Sequence, residues 1–262
     1  MANKYLMQED APVSQEVWDL LNKTMVEVAK SCLTARKILP VKGPLGFGVK
    51  QISLADEKVM EGVFVPKSLP LFYIHKTFSF PMRDIASFEK EKVALDLGKF
   101  IQTVRECCEL EDKIVFEGIN NNYGFLNMPG TLSCSMKSWE KVGQAAEDLI
   151  KAISLLDEAG FHGPYIVALP SSRYNLLFRR YESGNQTEYE HIKTFIKSVV
   201  KAPALKNEAI VFSDSSAYAS LIIGQDMSIG FIGPKDEQLE FSISESIALL
   251  VNVPSAFCVM RG

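Results

Sequence analysis

The sequence predicts an α+β fold in which a long helix anchors a discontinuous domain. Three observations lead there. Leu97–Phe116 carries Leu97, Phe100, Ile101, Val104, Cys107, Cys108, Ile114 and Val115 at helical spacing, with Lys99, Gln102, Glu106, Glu109 and Lys113 opposite. At about 1.5 Å per residue this spine helix reaches roughly 30 Å, the width of a small domain. Residues 49–80 are instead rich in aromatic and β-branched residues and read as a long two-stranded extension. From Ala209 strand-like runs follow closely, and those at 239–260 are expected to return and cover the spine. Glu111 alone interrupts the apolar stripe of the spine; either that point is not core or, as is expected here, a basic partner meets it.

The remaining elements follow in order. Residues 1–12 read as a flexible arm ending at Ala11-Pro12, after which Ser14 is placed to cap a helix from Gln15 to Ala35 that stops before Pro40. Gly43-Pro-Leu-Gly-Phe-Gly48 is a turn-rich joint. Between Val49 and Phe80, Pro66 and Pro70 confine their segment to a loop or an edge. An isolated ribbon of this kind is marginal in water, so it should lean on something outside itself. After the spine, Ser138 is expected to cap a helix over Trp139–Ala159 that Gly160 ends. Tyr165–Leu169 reads as a buried strand, Ser171–Arg180 as a helix, Tyr181–Thr187 as a polar loop and Tyr189–Val200 as a helix. Strands are expected at 210–212, 219–223, 227–232, 239–243, 247–253 and 256–260.

Composition excludes several classes of function. The 262 residues can bury a sizeable core, and 47% hydrophobic content is that of an ordinary globular protein. A net charge of −4 without any basic run argues against a general nucleic-acid binder. No apolar stretch reaches transmembrane length, and MANKYLMQEDAP is too polar for a signal peptide, so neither a membrane partner nor export is expected. Five cysteines without a CxxC fit a reducing cytoplasm, and no ligand pair has zinc spacing.

No catalytic constellation emerges. The three histidines, His75, His162 and His191, have no neighbouring nucleophile motif, and GxSxG is absent. Glu188-x-x-His191 has the spacing of a di-iron half-site but lacks the second motif such sites need, and reads as a solvated helix start. No metal, cofactor or catalytic residue is predicted.

Several separated stretches nevertheless resemble one family. They are Ala35-Arg-Lys-Ile38 with Gly43-Pro-Leu-Gly-Phe47, Lys67-Ser-Leu-Pro-Leu71, Phe78-Ser-Phe80, Glu109-Leu-Glu-Asp-Lys-Ile-Val-Phe-Glu-Gly118, Gly160-Phe-His-Gly-Pro-Tyr165 and Ile223-Gly-Gln-Asp-Met-Ser-Ile-Gly230. In this order and spread they resemble the family 1 encapsulins (linocin-M18-like proteins), shell-forming relatives of the HK97 phage capsid protein.

The resemblance implies an HK97 capsid-like fold. Residues 1–48 would form an N-terminal arm and helix, 49–80 the E-loop, 81–131 the P-domain with its spine, 132–223 the A-domain, and 224–262 strands returning to the P-domain. It implies a homo-oligomeric icosahedral shell in the bacterial cytoplasm enclosing a cargo enzyme, such as an iron-storing ferritin-like protein or a dye-decolorising peroxidase. Cargo would be recruited through a C-terminal targeting peptide. The positions matching the peptide groove are Leu33, Arg36, Ile38, Leu39, Met227 and Ile229. The loop matching the five-fold pore comprises Tyr181, Glu182, Ser183, Gly184, Asn185, Gln186, Thr187 and Glu188. Arg83 stands where flavin-binding relatives carry tryptophan, so no flavin site is implied. The alternatives are a phage or prophage capsid protein, expected to carry a scaffolding or cleaved segment before the first helix, and a bacteriocin with proteolytic activity.

Overall fold

The computed structural model describes residues 3–120, 122–182 and 184–262. The chain divides into two compact units, neither of them one run of sequence. The first comprises Met1–Leu33, Val41–Glu111 and Ile222–Ala248; the second comprises Thr34–Pro40, Asp112–Leu221 and Leu249–Gly262.

Two 3-10 turns, Lys4–Leu6 and Gln8–Asp10, precede α1 (Gln15–Cys32) and α2 (Ala35–Ile38). Next come β1 (Val41–Lys42), β2 (Gln51–Met60), β3 (Val63–Pro70), β4 (Phe72–Pro81), α3 (Met82–Glu91) and the spine α4 (Gly98–Phe116). The middle of the chain holds β5 (Gly118–Ile119), β6 (Asn122–Tyr123), β7 (Leu132–Ser135), α5 (Gln144–Glu158), β8 (Tyr165–Leu169), α6 (Ser171–Leu176) and α7 (Glu188–Ile192). The last part holds β9 (Ser198–Lys201), β10 (Glu208–Ser213), β11 (Ala219–Ile223), β12 (Ser228–Lys235), β13 (Gln238–Val251) and β14 (Phe257–Arg261).

In the first unit, a sheet of order β1-β11-β13-β12, with β4 also on β13, packs against the spine. Phe78 of β4 lies 4.8 Å from the Phe100 ring and stacks on Phe241 of β13 at 5.5 Å, and Trp18 of α1 meets Phe241 edge-on. β13 is one 14-residue strand where two were expected. Its polar middle, Ser244-Glu245-Ser246, reads as a break but is buried. Ser246 Oγ accepts from the Gln225 N–H at 2.8 Å, and Ser244 accepts from the Gln225 amide. On the spine, Cys107 and Cys108 are buried small hydrophobes, and burial pushes the Cys107 thiol up to about 12. Glu111 is fully buried and, as expected for a carboxylate in an apolar stripe, is not left without a partner.

β2 and β3 form a separate antiparallel ribbon joined through Glu61-Gly62, with Gly62 in the left-handed region at φ +75. Nearly every ribbon residue is exposed, including Val59, Met60, Val63, Phe64 and Val65. Its ion pairs, Lys58–Glu61 and Lys67–Glu57, are solvated and stabilise little. The ribbon covers 51–70; Phe72–Pro81, expected as part of the same extension, is paired along its whole length with β13.

The second unit is built on a sheet of order β7-β14-β10-β8-β9 with α5 against it. β14 corrects the expectation that 224–262 all returns to the spine sheet, because it lies between β7 and β10 here. Its run Phe257–Met260 is buried throughout, and a strand without alternation carries no sign of which sheet it joins.

Several helix boundaries and one cap also differ, and α6 ends at Leu176 rather than Arg180. α1 stops at Cys32 because Leu33 turns extended and the Asp112 carboxylate takes the N–H groups of Thr34 and Ala35 at 2.9–3.2 Å. Ser14 makes no side-chain cap; its own N–H donates to Glu89. α5 begins at Gln144 rather than Trp139, since Trp139 is buried with φ +60 and donates its indole N–H to Asp148 at 2.9 Å. The segment expected as a helix over 189–200 splits into short α7 and the strand β9, whose Val199-Val200 continues the sheet parallel to β8.

Candidate functional site

Two of the resembling motifs prove to be halves of one backbone clamp. Leu45 N–H donates to Ile223 O at 2.9 Å and Gly46 N–H to Gly224 O at 2.7 Å. The approach is too close for side chains: a Cβ on Gly43 would lie 2.2 Å from Ile223 O, and one on Gly224 would lie 2.5 Å from Ser246 Oγ. Gly43 is thus required by its approach to Ile223, and Gly224 by its approach to Ser246 and Leu71.

Of the six residues implied for the peptide groove, Leu33, Met227 and Ile229 belong to the first unit and Arg36, Ile38 and Leu39 to the second. Leu33, Ile38, Leu39, Met227 and Ile229 are buried, whereas Arg36 is half-exposed. Apolar groove anchors and apolar core residues look alike in sequence, and within one chain these five are core. Asp112 is a residue beside this segment that the sequence reading does not single out. It is buried at the end of the spine, and its carboxylate holds the backbone N–H groups that start α2, the turn carrying Arg36. The only sequence signal was its place in the Glu109–Gly118 motif.

The N-terminal arm also takes an unexpected place. Gln8 Nε2 donates to Ile229 O at 2.6 Å and Asn3 Nδ2 to Gln225 Oε1 at 3.3 Å, while Leu6 lies over Gly230. The arm therefore lies along β12, an edge strand of its sheet, and satisfies a carbonyl that the ladder leaves open.

In the implied pore loop, Ser183 lies outside the described residues. Glu182, Gly184, Asn185 and Gln186 are exposed, and Tyr181 and Thr187 are half-buried. Thr187 is the N-cap of α7 and forms a capping box with Glu190. Glu188 corrects the reading of a solvated pore carboxylate, for it is 0% exposed. Its Oε1 accepts from Gly143 N–H at 2.9 Å and Ala146 N–H at 3.1 Å, so it caps α5. Tyr181 meets Nδ1 of His191 at 2.8 Å, and Arg180 and Thr187 bridge the loop's base.

Among the described residues no three His, Cys, Asp or Glu side chains could hold a metal ion, and no helix is long and apolar enough to cross a membrane. The perturbed carboxylates sit in surface hydrogen bonds. The Tyr165 hydroxyl and then His162 hold Asp157 below the usual carboxylate range, and the Thr187 backbone N–H and hydroxyl do the same for Glu190. Carboxyls depressed in the folded state bind protons less readily than in the unfolded chain. Their stabilisation is present above the unfolded value and lost as pH falls through the folded one. The unfolding temperature is therefore expected to fall from about pH 5 toward pH 3, the range just above and below ordinary carboxylate values. Asp157→Asn should flatten that slope in a pH series of thermal melts; an unchanged slope would refute the assignment.

The comparisons agree with this architecture. The profile of the Linocin_M18 family, described as encapsulating protein for peroxidase, matches residues 3–248. The type 1 encapsulin shell protein EncA of Myxococcus xanthus is 27% identical over 279 residues, covering 98% of this chain and 96% of its own. A virus-like particle subunit from Pyrococcus furiosus superposes with a TM-score of 0.77 at 20% identity, covering 94% of this chain and all of that one. The capsid of the myovirus XM1 superposes at 0.63 with 12% identity, covering 88% of this chain and 92% of that one, and so shares the HK97-like fold alone. With a spine helix, an exposed ribbon, two discontinuous units and a family profile spanning almost the whole chain, the protein belongs to the Linocin_M18 family of encapsulin shell proteins.

Proposed function

We propose that this shell subunit assembles with copies of itself into a closed icosahedral particle in the cytoplasm and encloses a cargo enzyme held by a C-terminal targeting peptide. Its own role is architectural, and the chemistry is the cargo's. The observation that carries this reading is the β2–β3 ribbon. A two-stranded ribbon exposed on both faces, with an apolar tip, is stable only when another surface covers it, and repeated copies supply that surface by symmetry. The family description, an encapsulating protein for peroxidase, supports an enclosed enzyme. An iron-storing ferritin-like cargo is the other candidate. A phage capsid shares the fold, but the family profile favours the encapsulin.

The peptide site remains our proposal on Leu33, Arg36, Ile38, Leu39, Met227 and Ile229. Arg36 would supply the cation. Ile229, with its side chain fully buried, could act only through its backbone, where the arm now sits. Tyr181, Glu182, Gly184, Asn185, Gln186 and Thr187 would line the opening, with Glu188 behind them as their anchor rather than as a lining group. The subunit divisions 1–48, 49–80, 81–131, 132–223 and 224–262 are likewise proposed, with the ribbon narrowed to 51–70 and β14 assigned to the second unit's sheet. Size-exclusion chromatography and electron microscopy of the purified chain test the reading. Large, discrete, hollow particles are expected. A monodisperse species of subunit mass would overturn it.

A further inference from the structure

Among the described residues no cysteine is in a disulfide, and Cys134 and Cys258 are in contact. β7 and β14 run parallel with Leu132 opposite Cys258 and Cys134 opposite Met260. Residues two apart on a strand share a face, so Cys134 and Cys258 project on the same side of the sheet as diagonal neighbours. Their Sγ atoms are 3.8 Å apart. Both belong to the packing of the core under α5, with Cys258 fully buried and Cys134 at its half-exposed edge.

We propose that Cys134 and Cys258 are a reversible peroxide-responsive pair, in which Cys134 is oxidised first and Cys258 resolves it to an intramolecular disulfide. The two sites divide the labour. Cys134 is the thiol a small oxidant can reach. The hydrogen bond with Cys258 and, at longer range, Lys151 hold the Cys134 thiol below its usual range; burial and then Asp148 oppose this. Cys258 is pushed up by that same hydrogen bond and by burial, so it waits as a protonated thiol.

The oxidant is a hydroperoxide. The Cys134 thiolate attacks one peroxide oxygen, the O–O bond breaks, and hydroxide leaves, giving a sulfenic acid at Cys134. Cys258 sulfur then attacks the Cys134 sulfur, the S–O bond breaks, and the Cys258 proton leaves with the hydroxyl as water. In net terms two thiols are oxidised by two electrons and one H2O2 is reduced to two waters.

A disulfide needs its sulfurs at about 2.05 Å and its Cα atoms closer than a diagonal pair usually stands. β7 must therefore move toward β14 by a small amount. As a four-residue strand at the sheet edge, it has a ladder partner on one side only and can shift without breaking a second ladder. The bond would tie the last strand of the chain to a segment 124 residues earlier, closing a long loop within the second unit.

The test uses the assembled, full-length protein treated with hydrogen peroxide, then alkylated and mapped without reduction. A loss of about 2 Da, a Cys134–Cys258 cross-linked peptide and recovery on adding dithiothreitol are expected. In Cys258→Ala, Cys134 should accumulate a sulfenic acid trapped by dimedone, several-fold above the unmutated chain. In Cys134→Ser, Cys258 should stay alkylatable. Full alkylation of both residues after peroxide, or equal dimedone labelling of Cys134 with and without Cys258, would overturn the proposal.

Discussion

Phe64→Asp is expected to replace large particles by species of subunit or small-oligomer mass while leaving the fold of the subunit intact. Phe64 is 62% exposed near the ribbon tip, beside Val63 and Val65 on β3 and close to Val59 and Met60 on β2. Within the chain it has little packing to lose, so a surface substitution should change subunit stability by no more than about 0.5 kcal/mol. In a shell the same ring would be covered by a neighbour, and the Asp carboxylate would be buried there without a partner, several times per particle. The two effects are separable. Circular dichroism and the melting temperature of the dissociated subunit report the fold, and mass photometry reports assembly. Particles of undiminished size and yield would show that the tip is not an interface. Phe64→Leu, which keeps an apolar side chain, should assemble nearly as well as the unmutated chain.

The elements legible in the sequence were those with a strong period or a clean boundary. The pattern reads as a spine over Leu97–Phe116 and the helix is Gly98–Phe116; the strands Tyr165–Leu169 and Ala219–Ile223 occur with the bounds expected. In each case an apolar pattern is bounded by glycine, proline or polar residues, and local information suffices. The misread elements depend on distant atoms. Trp139 leaves the helix because Asp148 binds its indole N–H and Arg179 binds its carbonyl. Ser244-Glu245-Ser246 stays in a strand because Gln225 is there to bond with two of its serines. Val199-Val200 is a strand because β8 offers a free edge.

The candidate sites follow the same rule. Two of the motifs meet in the structure, as the clamp between Gly43–Phe47 and Ile223–Gly224. They could not say which side chains face outward, because periodicity reports that a residue is covered and not what covers it. Met227 and Ile229 illustrate the point: their alternation marks a buried face, and only the fold shows that the arm reaches Ile229 through its carbonyl. Asp112 and Glu188 were both acidic residues in polar surroundings, and both turn out to be buried caps for helices that start far away in sequence.

Glu188 gives the clearest consequence of that difference. If it lined an opening, removing it would alter passage of ions and leave stability unchanged. As a buried carboxylate it accepts two N–H groups at the start of the 15-residue α5, where the helix dipole also favours a negative charge. Glu188→Ala strands those donors and is expected to cost about 2 to 3 kcal/mol, the range for losing a charged cap in a buried setting. For a chain of this size that corresponds to a fall of roughly 5 to 10 °C in melting temperature. Glu188→Gln keeps an acceptor in place of Oε1. It puts an amide NH2 where Oε2 has no hydrogen-bond partner among the described residues, so an intermediate loss is expected. Because Glu188 N–H also donates to Arg179 O at 3.0 Å at the base of the exposed loop, amide exchange in residues 180–187 should quicken in the alanine variant. An alanine variant with unchanged melting and unchanged loop exchange would return Glu188 to the surface role first read from its sequence. A destabilised one would make the loop's geometry a property of α5.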